Sequence, residues 1–353
     1  MGAQQVQEAY DVVVVGGGAA GLSGAVALSR ARRSVLVVDA GEPRNAPADG
    51  VHNYLGREGT PPAELLSAGR RDVVGYGGQV VDGRVASATP SPGAGAGFRV
   101  VLDDGRAITA RRLLVATGVV DELPDVPGVA ELWGTDVLHC PYCHGWEVRE
   151  QGVGVLGSGP LSVHQALMWR AWCEDVTLFL GTAPEPTEEQ WEQLAARGVA
   201  VVDGEVTGLE TTGGRLSGVR LASGRVVPRQ ALVVATRAVA RAPGGLGLET
   251  EDVAVGGHSM GRRVVAGPDG ATSVPGVRVV GNAGDLRAQV VSAAAAGLAA
   301  AVATNAELIA EDTGRAVASA RSRTVAGVFS GASEAEVSAR VLGVRHGLED
   351  VAR

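Results

Sequence analysis

The sequence predicts an α/β protein made of two similar halves, the second inserted into the first. A strand, a glycine-rich turn, a helix and another strand follow one another from Val12 to Val38, and the same order recurs from Val153 to Leu180. A second buried-strand pattern follows in each half, at 113–117 and 231–236. The result is an internal repeat of about 140 residues, which is typical of a pair of Rossmann-like domains.

The first half opens with the run Val12–Val15, whose β-branched residues indicate a buried parallel strand. The motif Gly16-x-Gly18-x-x-Gly21 follows, and then a helix from about Leu22 to Arg32. Asp39 ends the next strand, Ser34–Val38, 18 residues after the last glycine. Such glycines let backbone N–H groups approach a pyrophosphate, while the acid takes ribose hydroxyls. We therefore predict a dinucleotide site here.

Later parts of the chain complete this half. The segments Arg99–Leu102 and Ala107–Ile108 indicate a hairpin, and Leu113–Thr117 indicates a further strand that leads into Gly118. Gly284-Asp285 precedes a helix predicted from about Arg287 to Ala310. Taken alone, Asp285 is read as a helix cap. Together with the N-terminal motif and Ala116-Thr117-Gly118, it favours FAD as the ligand.

The second glycine motif, Gly157-x-Gly159-x-x-Ser162, lacks the partners of a nicotinamide nucleotide. Its helix is predicted from Leu161 to Trp172, and the strand Val176–Leu180 ends in Gly181-Thr182-Ala183-Pro184. No basic residue occurs between Arg170 and Arg197, whereas six acidic residues do. A 2′-phosphate would therefore meet like charge and no arginine. We interpret this motif as a vestigial nucleotide turn.

The segment from His139 to His144, which contains Cys140 and Cys143, is the predicted chemical centre. Two cysteines at this spacing can form and open a disulfide, and an adjacent histidine can hold a thiolate or exchange its proton near neutral pH. A zinc site would need a second ligand pair, and the remaining Cys173 has none beside it, so we expect no metal. We read Cys173 as a buried apolar residue.

Composition excludes several classes of function. The 31 lysine and arginine positions are all arginine, which excludes Schiff-base and P-loop lysines. The net charge of −8, without a basic block, argues against nucleic acid as a partner. The N-terminus has no signal-peptide pattern, and the apolar run Ala293–Ala303 is too short to cross a bilayer. We therefore expect a cytoplasmic protein without a membrane partner.

Domain boundaries are placed where Pro and Gly residues interrupt the strand and helix patterns. We assign residues 1–119 and 244–353 to a discontinuous FAD-binding domain, with a C-terminal tail at 316–353, and residues 120–243 to a domain that carries the cysteines. Val219–Val227 is hairpin-like, and Ala335–Val344 has helical spacing. The loop His52-Asn53-Tyr54 either touches the flavin ring, gates the site or has no role in it.

The order of these motifs resembles the low-molecular-weight thioredoxin reductases, to about residue 315. Two features depart from them: Gly181–Pro184 replaces an arginine-containing run, and His144 stands where the reductases have aspartate. The motif from Cys140 to Glu147 resembles that of the FAD-dependent dithiol oxidases of the holomycin and gliotoxin pathways. The resemblance implies a homodimer, FAD as cofactor, and an outward-facing Cys140 with Cys143 nearer the flavin.

The resemblance also implies the residues of the site. Cys140 and Cys143 form the redox pair, and His144 or His139 is the base. The candidate residues for cofactor binding are Gly16, Gly18, Ala19, Ala20, Gly21, Asp39, Ala40, Arg44, Asn45, Asn53, Ala116, Thr117, Gly118, Gly284, Asp285, Gln289 and Val290.

The expected function is oxidation of a small natural-product dithiol to an intramolecular disulfide, with O₂ as acceptor and H₂O₂ as product. Two alternatives stay open. One is a disulfide reductase that is driven by NADPH or ferredoxin. The other is a non-catalytic flavoprotein that senses redox state.

Overall fold

A computed structural model describes residues 7–92, 97–323 and 328–342. The chain divides into two compact units, Met1–Val302 and Ala303–Arg353. The first unit contains all the β-sheets of the described residues, and the second contains the C-terminal half of one long helix and a further helix.

The secondary structure alternates between strands and helices in both halves of the first unit. The strands are β1 (Ala9–Val15), β2 (Val35–Asp39), β3 (Gln79–Asp82), β4 (Val85–Pro90), β5 (Phe98–Leu102), β6 (Ala107–Val115), β7 (Val119–Glu122), β8 (Val137–Leu138), β9 (Val153–Leu156), β10 (Val176–Phe179), β11 (Ala200–Val202), β12 (Val206–Thr212), β13 (Arg215–Leu221), β14 (Val226–Val227), β15 (Ala231–Val233), β16 (Arg237–Ala240), β17 (Thr250–Val255), β18 (His258–Val264) and β19 (Val277–Val279). The helices are α1 (Ala19–Arg30), α2 (Pro62–Gly75), α3 (Pro141–His144), α4 (Ser162–Trp169), α5 (Glu188–Ala196), α6 (Val290–Arg323) and α7 (Gly331–Leu342), with a 3₁₀ turn at Gly281–Ala283.

The first sheet has the order β3-β2-β1-β6-β5-β4, and β19 pairs with the C-terminal half of β6. Strand β1 lies parallel to both β2 and β6, and Val12, Val13 and Val14 have no exposed surface. This burial on both faces explains their continuous apolar sequence. The carboxyl ends of β1, β2 and β6 therefore meet at one edge, where ligands bind in sheets of this kind.

The second sheet repeats this plan with the order β11-β10-β9-β15-β8, all parallel. Its core includes Trp169 of α4 and Cys173, which is 1% exposed, as expected from the sequence. The antiparallel strands β12, β13 and β14 form a small sheet beside it. The short strand β8 leads directly into the cysteine motif, so the second sheet positions the reactive residues.

A third, four-stranded sheet of order β17-β18-β16-β7 was not predicted from the sequence. Its strands β7 and β16 are the two chain segments that connect the first sheet with the second. They pair antiparallel, with Val120 opposite Val239. The two connections therefore run side by side.

Several predicted element bounds are wrong. The predicted strands Ala107–Ile108 and Leu113–Thr117 are one strand, β6, which ends at Val115, because Ala110 and Arg112 between them also pair with β1. The helix predicted to end at Trp172 ends at Trp169, because the chain then turns. The hairpin-like stretch Val219–Val227 is confirmed, because Val219 of β13 pairs antiparallel with Val227 of β14, and β12 adds a third strand.

The helix predicted at 287–310 is longer than expected. Helix α6 has 34 residues and a mean hydropathy of 1.5 in its most apolar window, so by length and composition it could cross a membrane. Its first turns nevertheless pack in the core of the first unit, where a Cβ on Gly297 would collide with the carbonyl oxygen of Ala20. Helix α7 covers most of the segment predicted at Ala335–Val344, whose last two residues lie outside the described ranges.

Candidate active site

A cavity of about 740 Å³, called the main cavity below, lies at the carboxyl edge of the first sheet. The glycine turn after β1, the end of β2 and the segment Ala116–Gly118 line one side of it. The cysteine motif from His139 to His144 lines another side. The fold thus brings the predicted cofactor turn and the predicted redox pair, more than 100 residues apart in sequence, to one space.

The glycine turn has the shape that close approach of a ligand requires. Gly16 has a φ of +104°, and a Cβ there would be 2.5 Å from the carbonyl oxygen of Ala116. A Cβ on Gly21 would collide with the carbonyl oxygen of Gly16, which keeps α1 close to β1. Gly18 has nothing within 4 Å of its Cβ position, so this side of the turn is open. Helix α1 begins at Ala19 and directs free N–H groups into that opening.

Asp39 stands where a ribose partner was predicted. Its carboxylate accepts a hydrogen bond from the backbone N–H of Gly17 at 3.0 Å and forms an ion pair with Arg70 of α2. Ala40, Arg44, Asn45, Gln289 and Val290 also line the main cavity. An open glycine turn, a helix N-terminus and an acid beside a long cavity fit the adenosine and pyrophosphate of a flavin dinucleotide.

Four residues predicted at the cofactor are not among those that line the main cavity, and one of them is Gly21, which packs under the glycine turn. Gly284 and Asp285 are not among the residues that line the main cavity, and Asp285 accepts a hydrogen bond from the backbone N–H of Arg287 at 3.0 Å. Helix α6 begins only at Val290, so this contact closes a turn ahead of the helix and Asp285 does not cap it. Asn53 also lies outside the main-cavity lining, and its side-chain amide donates to the backbone carbonyl of Tyr142 at 2.7 Å. Asn53 therefore holds the cysteine turn.

The cysteine pair is presented by α3, a single helical turn. Cys140 has an extended backbone and caps the turn, Pro141 occupies its first position, and Cys143 lies one turn later. The two Sγ atoms are 2.6 Å apart, and the thiol of Cys143 donates to the sulfur of Cys140. This arrangement can interconvert between dithiol and disulfide with little movement of the backbone.

The two thiols differ strongly in acidity. The hydrogen bond from Cys143, aided by the backbone N–H groups of Cys143 and Tyr142 and by the charge of Arg44, lowers the pKa of Cys140 to about 7. The same hydrogen bond, together with burial, raises the pKa of Cys143 well above its ordinary value. At neutral pH, Cys140 is therefore the sulfur that carries the charge.

Both predicted histidines line the main cavity. Burial, together with the nearby charge of Arg44, lowers the pKa of His139 to about 4. The His139 ring packs against Trp133, with 5.4 Å between the ring centroids. Burial also lowers the pKa of His144, against the opposing charges of Glu147 and Asp49. His139 is consequently a weak base, and His144 has the environment better suited to accepting a proton at neutral pH.

Sequence reasoning missed an ion pair next to these groups. Arg44 donates from Nε and Nη2 to Asp121 of β7, with both distances 2.6 Å, and Thr236 donates to the same carboxylate at 2.8 Å. Asp121 is 5% exposed. Because Arg44 and Asp121 are 77 residues apart, no local pattern in the sequence indicates their contact.

A smaller cavity of about 390 Å³, called the aromatic cavity below, lies next to α3. Its walls include Tyr142, Trp146 and Trp172 together with His52, Glu58 and Glu147. His52 contacts both acids, with its Nδ1 atom 2.6 Å from Glu58 and its Nε2 atom 3.4 Å from Glu147. The loop that contains His52 and Asn53 is thereby held against the cysteine turn.

The second glycine turn is filled by the protein itself. The hydroxyl of Ser162 accepts hydrogen bonds from the backbone N–H groups of Ser158 and Gly159, at 3.1 and 3.3 Å. A Cβ on Gly159 would be 2.7 Å from Nδ1 of His258, so the β17–β18 hairpin lies against the turn. These N–H groups are the ones that a pyrophosphate would use. The geometry agrees with the vestigial interpretation.

Comparison with known proteins gives matches over most of the chain. The family model for pyridine nucleotide-disulphide oxidoreductases matches residues 10–297. The thioredoxin reductase tcpT of Claviceps purpurea is 36% identical over 179 residues, which are 48% of this chain and 54% of that protein. The thioredoxin reductase of Bacillus subtilis is 28% identical over 174 residues, 49% of this chain and 54% of that protein. The matches therefore span about half the length of these curated relatives.

This chain matches almost the full length of two solved structures. The crystal structure of HlmI has a TM-score of 0.81 and 45% identity, over 91% of this chain and 99% of that one. An oxidoreductase from Agrobacterium tumefaciens has a TM-score of 0.78 and 36% identity, over 85% of this chain and 98% of that one.

Proposed function

The chain belongs to the pyridine nucleotide-disulphide oxidoreductase family, and from this membership we propose that it is an FAD-dependent dithiol oxidase. It converts a small-molecule dithiol to an intramolecular disulfide and passes the electrons to O₂, which becomes H₂O₂. The matches to tcpT and HlmI confirm the recognition of a thioredoxin reductase-like flavoprotein of the holomycin and gliotoxin type. The chain is an oxidoreductase, and its cofactor is FAD.

The closed second glycine turn is the observation that supports an oxidase. In a reductase of this family, electrons enter from a nicotinamide nucleotide at that turn. Here the Ser162 hydroxyl accepts hydrogen bonds from the backbone N–H groups of the turn, and His258 lies against Gly159. An acidic segment follows instead of a phosphate-binding arginine. Without a hydride donor, the electrons come from the substrate dithiol.

Residues of the main cavity would hold the cofactor. The turn Gly16–Gly21 and the first N–H groups of α1 would bind the pyrophosphate, and Asp39 would accept hydrogen bonds from the ribose. Bound FAD would supply the acceptor for the two electrons and two protons of the Cys140–Cys143 dithiol and the group from which O₂ is reduced to H₂O₂. The protein supplies the position of that dithiol and the acidity of its sulfurs.

The reaction begins with the Cys140–Cys143 disulfide. A substrate thiolate attacks Sγ of Cys140, a bond forms between substrate sulfur and Cys140, and Cys143 leaves as a thiolate that takes up a proton. The second substrate thiolate then attacks the substrate sulfur bound to Cys140, closes the product disulfide and releases Cys140. A leaving sulfur with a low pKa departs faster, and the pKa of Cys140 is about 7.

His144 is the proposed base for the substrate thiols. It lines the main cavity directly after Cys143, and burial keeps its ring unprotonated at neutral pH because its pKa is lowered. His144→Ala should slow reduction of the flavin by a dithiol while FAD remains bound. His164→Ala, which changes an exposed histidine of α4, is the matched control. Equal reduction rates in all three proteins would remove His144 from the mechanism.

One anaerobic experiment tests the direction of electron flow. The oxidised yellow protein is mixed rapidly with NADPH in one experiment and with dithiothreitol in another, and the flavin absorbance is followed. The oxidase predicts bleaching by the dithiol, recovery on admission of air, and one H₂O₂ for each disulfide formed. Rapid bleaching by NADPH would instead identify a reductase, and bleaching by neither reagent would favour a redox sensor.

A homodimer in the cytoplasm completes the proposal. The N-terminal part of α6 exposes an apolar stripe with helical spacing, in which Leu298 is 50% and Val302 is 62% exposed. A second copy of the chain would cover such a stripe. Light scattering should give twice the monomer mass, and Leu298→Glu should shift the mass toward the monomer.

A further inference from the structure

We propose that the aromatic cavity is the substrate subsite, and that it selects small dithiols that carry an aromatic or conjugated ring and no acidic group. This inference rests on the proposed oxidase function and adds the chemical class of its substrate. It follows from the aromatic walls, the charge and the position of the cavity, which are independent observations.

The walls present aromatic surface that the protein leaves uncovered. Tyr142 is 57% exposed and Trp146 is 66% exposed, although both residues are large and apolar. The edge of one ring of the Tyr142–Trp172 pair meets the face of the other, with ring centroids 5.0 Å apart, which fixes the orientation of the Tyr142 ring. Arg149 lies 4.2 Å from the centroid of the Trp146 ring and holds that side chain in place. Fixed, exposed rings are suited to stacking on a planar ligand.

The charge of the cavity is negative. Hydrogen bonds from His52 and from the backbone N–H of Asn53 hold the pKa of Glu58 below its usual range, so this carboxylate is ionised at neutral pH. Glu147 contributes a second carboxyl group on the same wall. Arg149 adds one positive charge nearby, but it is paired with Glu150. An acidic ligand would therefore be repelled, which is a means of selection against abundant anionic thiols.

The position of the cavity connects it to the reactive sulfurs. Pro141 and Tyr142, the two residues between the cysteines, line both the aromatic cavity and the main cavity, and His52 also lines both. A ligand stacked on Tyr142 therefore lies next to the turn that presents Cys140. A volume of about 390 Å³ suits a small molecule and not a protein substrate.

The test compares three dithiols of different chemistry under anaerobic conditions. Ortho-xylylene dithiol is aromatic and neutral, dithiothreitol is neutral without a ring, and dimercaptosuccinate is anionic. We expect the second-order rate constant of flavin reduction to be about tenfold higher for the aromatic dithiol than for dithiothreitol. We expect dimercaptosuccinate to be the slowest of the three, because both of its carboxylates face Glu58 and Glu147.

Two variants separate a specificity role from a structural one. Trp146→Ala should lower the second-order rate constant of flavin reduction about tenfold for the aromatic dithiol and much less for dithiothreitol, whereas the control Trp191→Ala changes another exposed tryptophan without effect. Glu147→Gln should raise the rate with dimercaptosuccinate selectively, and Glu150→Gln is its control. Equal changes for all three dithiols, or none, would overturn the subsite.

Failure of the subsite and failure of the oxidase are distinguishable. If no dithiol reduces the flavin, the proposed function is wrong, and the subsite is then judged by binding alone. The binding probe is ortho-xylylene diol, in which each thiol is replaced by a hydroxyl. It should quench tryptophan fluorescence of the holoprotein, and Trp146→Ala should weaken its binding. Absence of binding would refute the subsite independently of catalysis.

Discussion

Arg44 and Asp121 form a two-point ion pair at the wall of the main cavity, with both N···O distances 2.6 Å. Arg44 lies in the loop after β2, and Asp121 lies on β7, one of the two segments that lead to the second sheet. Thr236 donates to the same carboxylate from the other connection. The pair fixes a positive charge close to Cys140, where it favours the thiolate.

Loss of that charge should make Cys140 less acidic. In Arg44→Gln, we expect the pKa of Cys140 to rise from its value near 7, because a positive charge that favours the thiolate is lost. The thiolate fraction then appears at higher pH, so the curve of alkylation rate against pH moves to the alkaline side. The measurement is the rate of iodoacetamide addition to the reduced holoprotein, followed by intact mass.

Arg44→Lys is the matched control for this experiment, because it keeps the charge but loses the planar two-point contact. The curve of alkylation rate against pH for Arg44→Lys should lie closer to that of the natural protein than to that of Arg44→Gln. If the lysine and glutamine variants behave alike, geometry and not charge determines the acidity of Cys140.

Ser162 stabilises the turn that it closes. Ser162→Ala removes an acceptor for two backbone N–H groups and should lower the free energy of unfolding by about 1 kcal/mol. Ser158→Ala changes a hydroxyl that makes neither of these hydrogen bonds, so it should have little effect. Urea unfolding measures both. Ser162→Gly, which completes the glycine motif, should still give no flavin reduction by NADPH, since His258 and the acidic segment remain.

Gly145 lies under the cysteine turn and leaves no room for a side chain. A Cβ there would be 2.5 Å from the carbonyl oxygen of Pro141 and 2.7 Å from Cγ of Trp172. Gly145→Ala should displace α3 and slow the reaction with dithiols about tenfold or more, while FAD content stays unchanged. Gly75→Ala, at an open position at the end of α2, is the control. A fully active Gly145→Ala protein would contradict this account.

Asp136 anchors the strand that carries the cysteines. This buried carboxylate, 2% exposed, accepts hydrogen bonds from Arg215 and from the backbone N–H of Leu216 at 2.8 Å. Asp136→Ala leaves that buried N–H without its acceptor and should lower the free energy of unfolding by roughly 2–4 kcal/mol. Arg215→Ala should have a smaller effect, because the arginine side chain is 70% exposed. Equal losses in the two variants would show that the salt bridge and not the backbone contact matters.

The sequence pattern predicts the parts of the fold that depend on local chemistry. The buried run Val12–Val15, the glycine turn that follows it and its copy at Gly157 lie where the patterns indicate. The family, the fold class and FAD are confirmed by the comparisons. The domain boundaries and the roles of individual site residues remain predictions.

Contacts between distant segments could not be read from the sequence. Asn53 reaches Tyr142 across 89 residues, and Arg44 reaches Asp121 across 77. The third sheet was missed because its strands, such as Thr250–Val255, are largely exposed and have no continuous apolar run. Helix α2 was missed for a similar reason, since only Pro62 and Val73 of its residues are buried. Contacts with other parts of the fold, and not the local sequence, determine that these segments form strands and a helix.

The pairing of β7 with β16 has a consequence for how this fold can be altered. Glu122 and Arg237 face each other at the far end of this antiparallel pair. The chain segment between them therefore begins and ends at neighbouring positions. The segment between Glu122 and Arg237 carries the cysteines, and its two ends lie on neighbouring strands. Exchange of this segment for that of a relative would therefore require only one place in the structure to be rejoined.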